Sequence, residues 1–350
     1  MIQYLLDGKY KDIELIHVRM NFSQQLDKVG RFGFAKLWEL IRVVAAIYIA
    51  RLRMRPYVLY YPPAGPRFVP VMRDIVILGM TRWTFGKTVF HFHASGISEY
   101  FVKMNPVMRR LFRFAFMRPD MVIRIAHRSP EDGQGLLCKK EVVVANGIPD
   151  FAGVSIERGA DPGSPIRILL VAALSEDKGV LIAIEAAQQL MATGLDVELT
   201  CVGQWSTQGF QERAESIIES RFKSRFKFPG VQIGAEKWEY YRCADIFVFP
   251  SFYHSETFGI VLLEAMCFSL PVVASRWRGI PDVVEDGACA ILCDPRDVTS
   301  CREALLQLVE DSGLRKRMAR VARDRYVRYF TVETHRRAME RALSQLGGAK

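Results

Sequence analysis

The sequence predicts an α/β protein of two domains, each a parallel sheet covered by helices, and three observations carry that reading. Short runs rich in Val, Ile, Tyr and Phe recur along the 350 residues, separated by stretches with helical spacing. Several later runs are apolar throughout, the pattern of strands buried on both faces. Between Glu157 and Pro165, a stretch holding Gly159, Pro162, Gly163 and Pro165 has linker composition. The reading is a first domain over 1–158 and a second over 166–320. A C-terminal helix over 321–350 is expected to cross back to the first domain.

In the first half the expected strands are Ile13–Met20, Tyr57–Tyr61, Thr88–His93, Met121–Ala126 and Glu141–Ala145, with crossover helices Phe34–Arg53 and Pro106–Met117. The second series is cleaner. Arg167–Leu174 is followed by a helix over Val180–Met191, then by strands Asp196–Val202, Ala244–Pro250, Leu270–Ala274 and Ala288–Cys293. Leu314–Leu346 is a basic helical stretch broken near Phe330–Thr331. Parallel sheets of this kind bind ligands beyond the carboxyl ends of their strands, so function is sought just after Leu174, Val202, Pro250 and Ala274. Met1–Leu6 reads as the tail of a first helix. The opening strand and glycine-rich loop of the first domain are therefore expected to be lacking.

Charge divides the chain. Residues 1–150 hold 23 Lys+Arg against 12 Asp+Glu, a net +11, whereas 151–350 hold 25 against 26, a net −1. Such asymmetry suits docking on an anionic partner. Seven scattered cysteines read as reduced thiols of a cytoplasmic protein. Met1–Tyr10 lacks a basic start before an apolar run, so no secretory signal is expected. The longest apolar run, Leu37–Ala50, is broken by Glu39 and Arg42 and falls short of the ~20 residues that span a bilayer. A nicotinamide dehydrogenase is disfavoured, since no Gly-x-Gly-x-x-Gly turn follows a strand. Nucleic-acid binding is disfavoured too, because no recognition motif accompanies the basic residues.

The chemistry-bearing stretch runs from Pro250 to Met266. An apolar strand ends at Pro250-Ser251, a polar loop follows, and a helix begins near Thr257. Glu256 and Glu264 are separated by seven residues, which sets Glu264 about two turns into an otherwise apolar helix. A carboxylate there is costly to bury unless something binds it. The amides of Phe258, Gly259 and Ile260 would point outward from the helix start, a natural seat for a diphosphate.

This stretch resembles the Glu-x7-Glu signature of the retaining glycosyltransferases of family 4, the group 1 glycosyltransferases, which have the GT-B fold. The resemblance continues through Leu270-Pro271-Val272-Val273-Ala274-Ser275 and Gly279-Ile280-Pro281-Asp282 to Gly287. Upstream, Lys178-Gly179 resembles the family's loop after the first donor-domain strand, Asn146-Gly147-Ile148 the close of the first domain, and His91-Phe92-His93 its histidine-bearing strand end. The implied fold is GT-B, two Rossmann-like domains facing across a cleft, with a nucleoside-diphosphate sugar as co-substrate. The implied catalytic residues are His93, Glu256 and Lys178. His93 would orient the reacting sugar, Glu256 would contact the sugar hydroxyls and Lys178 would neutralise the departing diphosphate. Implied donor-binding residues are Glu264 on the ribose, Thr257, Phe258, Gly259 and Ile260 at the helix start, and Val231 lining the base pocket.

The sequence departs from the family at Ala172-Ala173-Leu174, where an arginine is usual beside the lysine. Arg276 or Arg278 is the expected substitute. No Asp-x-Asp triplet occurs, so no metal and no other cofactor is expected. Arg109, Arg110, Arg113 and Arg118 interleave with Leu111, Phe112, Phe114, Phe116 and Met117, and Arg51, Arg53 and Arg55 end the preceding long helix. This suggests a peripheral protein on the inner membrane face, handed a lipid-linked acceptor by an anionic surface. The function implied is sugar transfer with retention, of hexosyltransferase type, in surface polysaccharide or glycolipid assembly. The alternative is a truncated, catalytically impaired sugar-nucleotide-binding protein.

Overall fold

The computed structural model describes residues 13–20, 34–154, 156 and 163–346. The chain divides into two compact units, residues 1–145 with 335–350, and residues 146–334.

The first unit is built on four parallel strands in the order β1-β2-β3-β4: β1 Val58–Tyr61, β2 Lys87–Phe92, β3 Met121–Arg124 and β4 Glu141–Val143. Side chains alternate across a strand, and β2 uses both faces. Phe90 and Phe92 join the core with Val43, Val71, Leu78 and Phe112 of helices Phe34–Met54, Phe68–Thr81 and Pro106–Phe116. On the opposite face Val89 meets Met121 and Ile123, covered by Met339 and Ala342 of the last helix, Val332–Ser344.

Two elements differ from expectation. Ile13–Met20 forms no strand. Its Val18 and Met20 pack on the core of this unit, and the guanidinium of Arg42 donates to the Arg19 carbonyl at 2.7 Å. The alternating apolar residues serve packing here, with no ladder partner among the described residues. The helix Phe68–Thr81 carries Pro70 in its first turn, where the missing amide costs nothing, so the proline conceals a helix that the sequence reading did not name. Met1–Leu6 lies outside the described residues.

The second unit has six parallel strands, β5 Ile166–Val171, β6 Val197–Val202, β7 Phe226–Gly230, β8 Ile246–Phe249, β9 Val272–Ser275 and β10 Ala290–Cys293. They lie in the order β10-β9-β8-β5-β6-β7. This is the doubly wound Rossmann arrangement, whose order reverses between β5 and β8 and opens a crevice at the carboxyl ends of those two strands. β7 went unpredicted because Lys227 and Pro229 interrupt it, and both are tolerated on an edge strand. Ile246 and Val248 enter one core with helices Val180–Ala192 and Val298–Glu310. Phe247 turns the other way, stacking on Tyr241 of helix Gly234–Cys243 at 5.6 Å between centroids. None of the seven cysteines forms a disulfide; five are buried, whereas Cys243 is exposed.

Candidate functional site

The site of the second unit begins where the sheet order reverses. The loops after β5 and β8 touch at this point. Gly179 has φ +75°, and a Cβ on it would lie 2.2 Å from the carbonyl oxygen of Pro250. Only glycine fits both the dihedral and the approach. The Phe252 amide also donates to the Asp177 carbonyl at 2.9 Å.

That closeness sets Lys178 beside Glu256. The ammonium of Lys178 donates to Oε2 of Glu256 at 2.6 Å, and the Ser251 hydroxyl donates to the same oxygen at 3.0 Å. Lys178 also lies 4.4 Å from the centroid of the Tyr253 ring, a cation–π contact. The lysine side chain is 19% exposed and that of Glu256 9%, so the pair is largely buried and reaches solvent through the lysine.

Glu264 has its own cage. It lies on helix Ile260–Cys267, and its Oε1 accepts from the Lys237 ammonium at 2.7 Å while Oε2 accepts from the Tyr241 hydroxyl at 2.6 Å. The cost of burying a carboxylate on an apolar helix is met by these two donors. Burial, then the neighbouring Glu264 carboxylate, pushes the Tyr241 phenol well above its ordinary pKa, so it stays a donor. Each carboxylate oxygen keeps lone-pair capacity for a further donor.

Helix Ile260–Cys267 starts at Gly259, whose φ of +71° turns the loop into the helix and which has no side chain to cap that start. Uncapped first-turn amides are a ready anion site. The Phe258 ring is buried and meets Phe330 edge-on, leaving its backbone as the part a ligand could use. Thr257 is buried, its hydroxyl donating to the Ser255 carbonyl at 3.1 Å. Ile260 is exposed. Val231 is exposed just past β7 and lines an open depression of about 670 Å³ with Gly203, Gln204 and Gln211.

Of the two arginines expected to substitute for the absent one, Arg276 forms an exposed ion pair with Asp286 at 2.7 Å. The Arg278 guanidinium lies over the ring of Trp277, 5.7 Å from its centroid. Residues missed by sequence reasoning are Ser251, Tyr253, Lys237 and Tyr241. The last two had a legible signal. They are four apart on one helix, so they share a face, and a carboxylate on an apolar helix needs such donors.

His93 belongs to the first unit and follows β2 at its carboxyl end. Its ring centroid lies 4.1 Å from that of His91, which is fully buried and hydrogen-bonded through Nδ1 to the Tyr60 hydroxyl. Burial, then the charge His335 would carry, lowers His93 from 6.5 to about 4. At neutral pH it is an uncharged imidazole. His335 of the last helix is hydrogen-bonded through Nδ1 to the Ala145 carbonyl at 2.7 Å.

Residues 155–325 match the family model described as glycosyl transferases group 1. This segment belongs to the group 1 glycosyltransferases. Among relatives, WcaL of Salmonella typhimurium, named for colanic acid biosynthesis, is 27% identical over 261 residues, which is 72% of this chain and 60% of that one. Glycogen synthase of Mycobacterium tuberculosis is 31% identical over 195 residues, 55% of this chain and 45% of the synthase. The chain thus spans less than two thirds of the length of either. Sucrose-phosphate synthase of Thermosynechococcus elongatus superposes with a TM-score of 0.70 at 18% identity, covering 94% of this chain and 82% of that one. Anabaena HepE, solved with UDP and glucose, gives 0.66 at 19%, covering 90% and 84%. These likenesses establish the fold as GT-B.

Proposed function

We propose that the chain transfers a sugar, of the hexosyl class, from a nucleoside diphosphate to an acceptor hydroxyl with retention of configuration. The observation that carries this is the pair of lysine-bound carboxylates, Glu256 and Glu264, flanking an uncapped helix start beside the reversal of sheet order. In this reading Glu264 accepts from the ribose hydroxyls, its rotamer held by Lys237 and Tyr241. Glu256 contacts the sugar, and the amides of Phe258, Gly259 and Ile260 hold the diphosphate, with Val231 beside the base. The acceptor oxygen bonds to the anomeric carbon on the face from which the diphosphate departs. As the carbon–oxygen bond to phosphate breaks, the acceptor proton passes to the leaving diphosphate oxygen, and Lys178 offsets the charge that develops there. His93, neutral, orients the sugar. Lysine and amide dipoles replace a divalent metal in this proposal, since the sequence has no Asp-x-Asp triplet to hold one.

Support for a nucleotide-sugar donor comes from Anabaena HepE, which has been crystallised in complex with UDP-glucose. Support for a polysaccharide product comes from relatives such as the amylovoran biosynthesis glycosyltransferase of Erwinia amylovora. The proposed acceptor is lipid-linked and presented at the anionic inner face of a membrane, where a cytoplasmic protein would meet it. The experiment is a calorimetric screen of UDP-, GDP- and ADP-sugars, followed by product analysis with an acceptor mixture. Binding of none of them would overturn the reading. A second reading, binding without turnover, is favoured by the engagement of Arg276 with Asp286 and predicts heat of binding but no sugar transfer.

A further inference from the structure

We infer that the first unit docks on an anionic lipid surface through one apolar patch assembled from three of its helical segments. This deepens the acceptor reading above but does not depend on the transfer chemistry. Helix Phe34–Met54 is apolar on two sides. Val43, Val44 and Ile47 enter the core, while Trp38, Ile41, Tyr48, Ile49 and Leu52 lie on the exposed side. Leu52 is 77% exposed and Trp38 71%. A helix that needed only to cover the sheet would carry polar residues on that second face.

The stripe continues onto its neighbours. The Tyr48 hydroxyl donates to the Met80 carbonyl at 2.6 Å, and Arg51 donates to the Thr84 carbonyl at 2.7 Å. These bonds bring the end of the long helix alongside exposed Met80 and Trp83. Trp83 packs against exposed Phe114 with ring centroids 5.2 Å apart. Its outward direction is built in. The preceding Arg82 is buried and ties this turn to helix Pro106–Phe116 by donating to the carbonyls of Ala115 and Arg118 at 2.9 and 2.8 Å. The structure also redraws the stretch singled out from sequence. Phe112 and Phe116 lie in the core, and only Leu111 and Phe114 of its aromatic and aliphatic residues are exposed.

Charge selects the occupant. From Leu40 to Arg118 the sequence has thirteen basic residues and two acidic ones, Asp74 and Glu99, and Asp74 is buried against Arg73 and Tyr61. Exposed Arg53 and Arg55 end the stripe, and exposed Arg110, Arg113 and Arg118 stand within four residues of Phe114 along the chain. A second copy of the chain would set arginine against arginine. Anionic headgroups complement this rim while the apolar stripe enters the acyl boundary. No helix among the described residues is long and apolar enough to cross a membrane, and the attachment inferred here is at the surface.

The test is flotation of the full chain with vesicles of phosphatidylglycerol and phosphatidylcholine, against vesicles of phosphatidylcholine alone. We expect binding to the anionic vesicles at low salt and none to the neutral ones. Arg53→Gln and Arg55→Gln should each weaken partitioning on the order of fivefold. Ile49→Asp with Leu52→Asp should weaken it by more than about tenfold. Both sites are exposed, so the fold should persist, and an unchanged circular dichroism spectrum checks it. Brominated phosphatidylglycerol should quench wild-type fluorescence, and Trp83→Phe should reduce that quenching. No flotation with anionic vesicles, flotation unaffected by the two aspartates, or a stable dimer that those aspartates dissolve would each overturn the inference. Donor titration without lipid tests the transferase reading separately, so one can fail without the other.

Discussion

Replacing Glu264 by glutamine separates the structural duty of this residue from its proposed ligand duty. The carboxylate offers two acceptor oxygens, and both are used, one by Lys237 at 2.7 Å and one by Tyr241 at 2.6 Å. An amide has one acceptor and one donor. Tyr241 is fully buried, its hydroxyl shut off from water, so it should keep the remaining oxygen. The Lys237 side chain is 19% exposed and can turn to water. The loss is then one charge-assisted hydrogen bond, about 1–2 kcal/mol of stability. Glu264→Ala also removes the carboxylate to which the buried Tyr241 hydroxyl donates and opens space in the core, and should cost about 3–4 kcal/mol. Donor affinity behaves differently. If the ribose hydroxyls donate to this carboxylate, losing its charge costs about 1.5–3 kcal/mol, which is roughly a 10- to 150-fold weaker Kd. Calorimetry with the best donor of the screen measures that, and urea unfolding measures the stability. A Glu264→Gln protein that binds the donor as tightly as wild type would refute the assigned role, whatever its stability.

Lys178→Ala should lower kcat on the order of 10²–10³-fold and change donor Kd less than about tenfold, because the lysine acts on charge that develops as the diphosphate departs. Steady-state kinetics with separate donor titration checks it, and an equal loss in both would place Lys178 in ground-state binding. Gly179→Ala should destabilise the second unit by about 2–4 kcal/mol, since the new Cβ meets the Pro250 carbonyl at 2.2 Å on a backbone of φ +75°. A thermal midpoint matching that of the wild type would contradict the close approach of the two loops. His93 has a folded-state pKa of about 4 against 6.5 unfolded, so as pH falls the unfolded chain takes up the proton first. Its contribution is whole above pH 6.5 and is lost between pH 6.5 and 4, about 3 kcal/mol. Buried His91 and His335, lowered chiefly by burial, act in the same direction. Urea midpoints of the wild type that stay constant from about pH 7 to about pH 4.5 would speak against this histidine cluster.

Much of the fold was legible because parallel strands buried on both faces leave continuous apolar runs, and the second unit has such runs at Ile168–Val171 and Ile246–Phe249. Where the pattern failed, a local signal competed. Proline hid the strand Phe226–Gly230 and the helix Phe68–Thr81, and alternation at Ile13–Met20 mimicked a strand that finds no ladder partner among the described residues. The glutamate pair and the lysine-glycine loop could be read because their spacing is local. Strand order could not be read. Lys178 and Glu256 are 78 residues apart, and they meet because β5 and β8 are neighbours. Composition and spacing thus determined the fold class, the two acidic positions and the basic bias of the first half. Tertiary structure alone decided which lysine meets which glutamate, and which apolar residues of the first unit remain uncovered. Both depend on contacts between elements far apart in sequence, which burial and strand pairing select only once the sheets have formed.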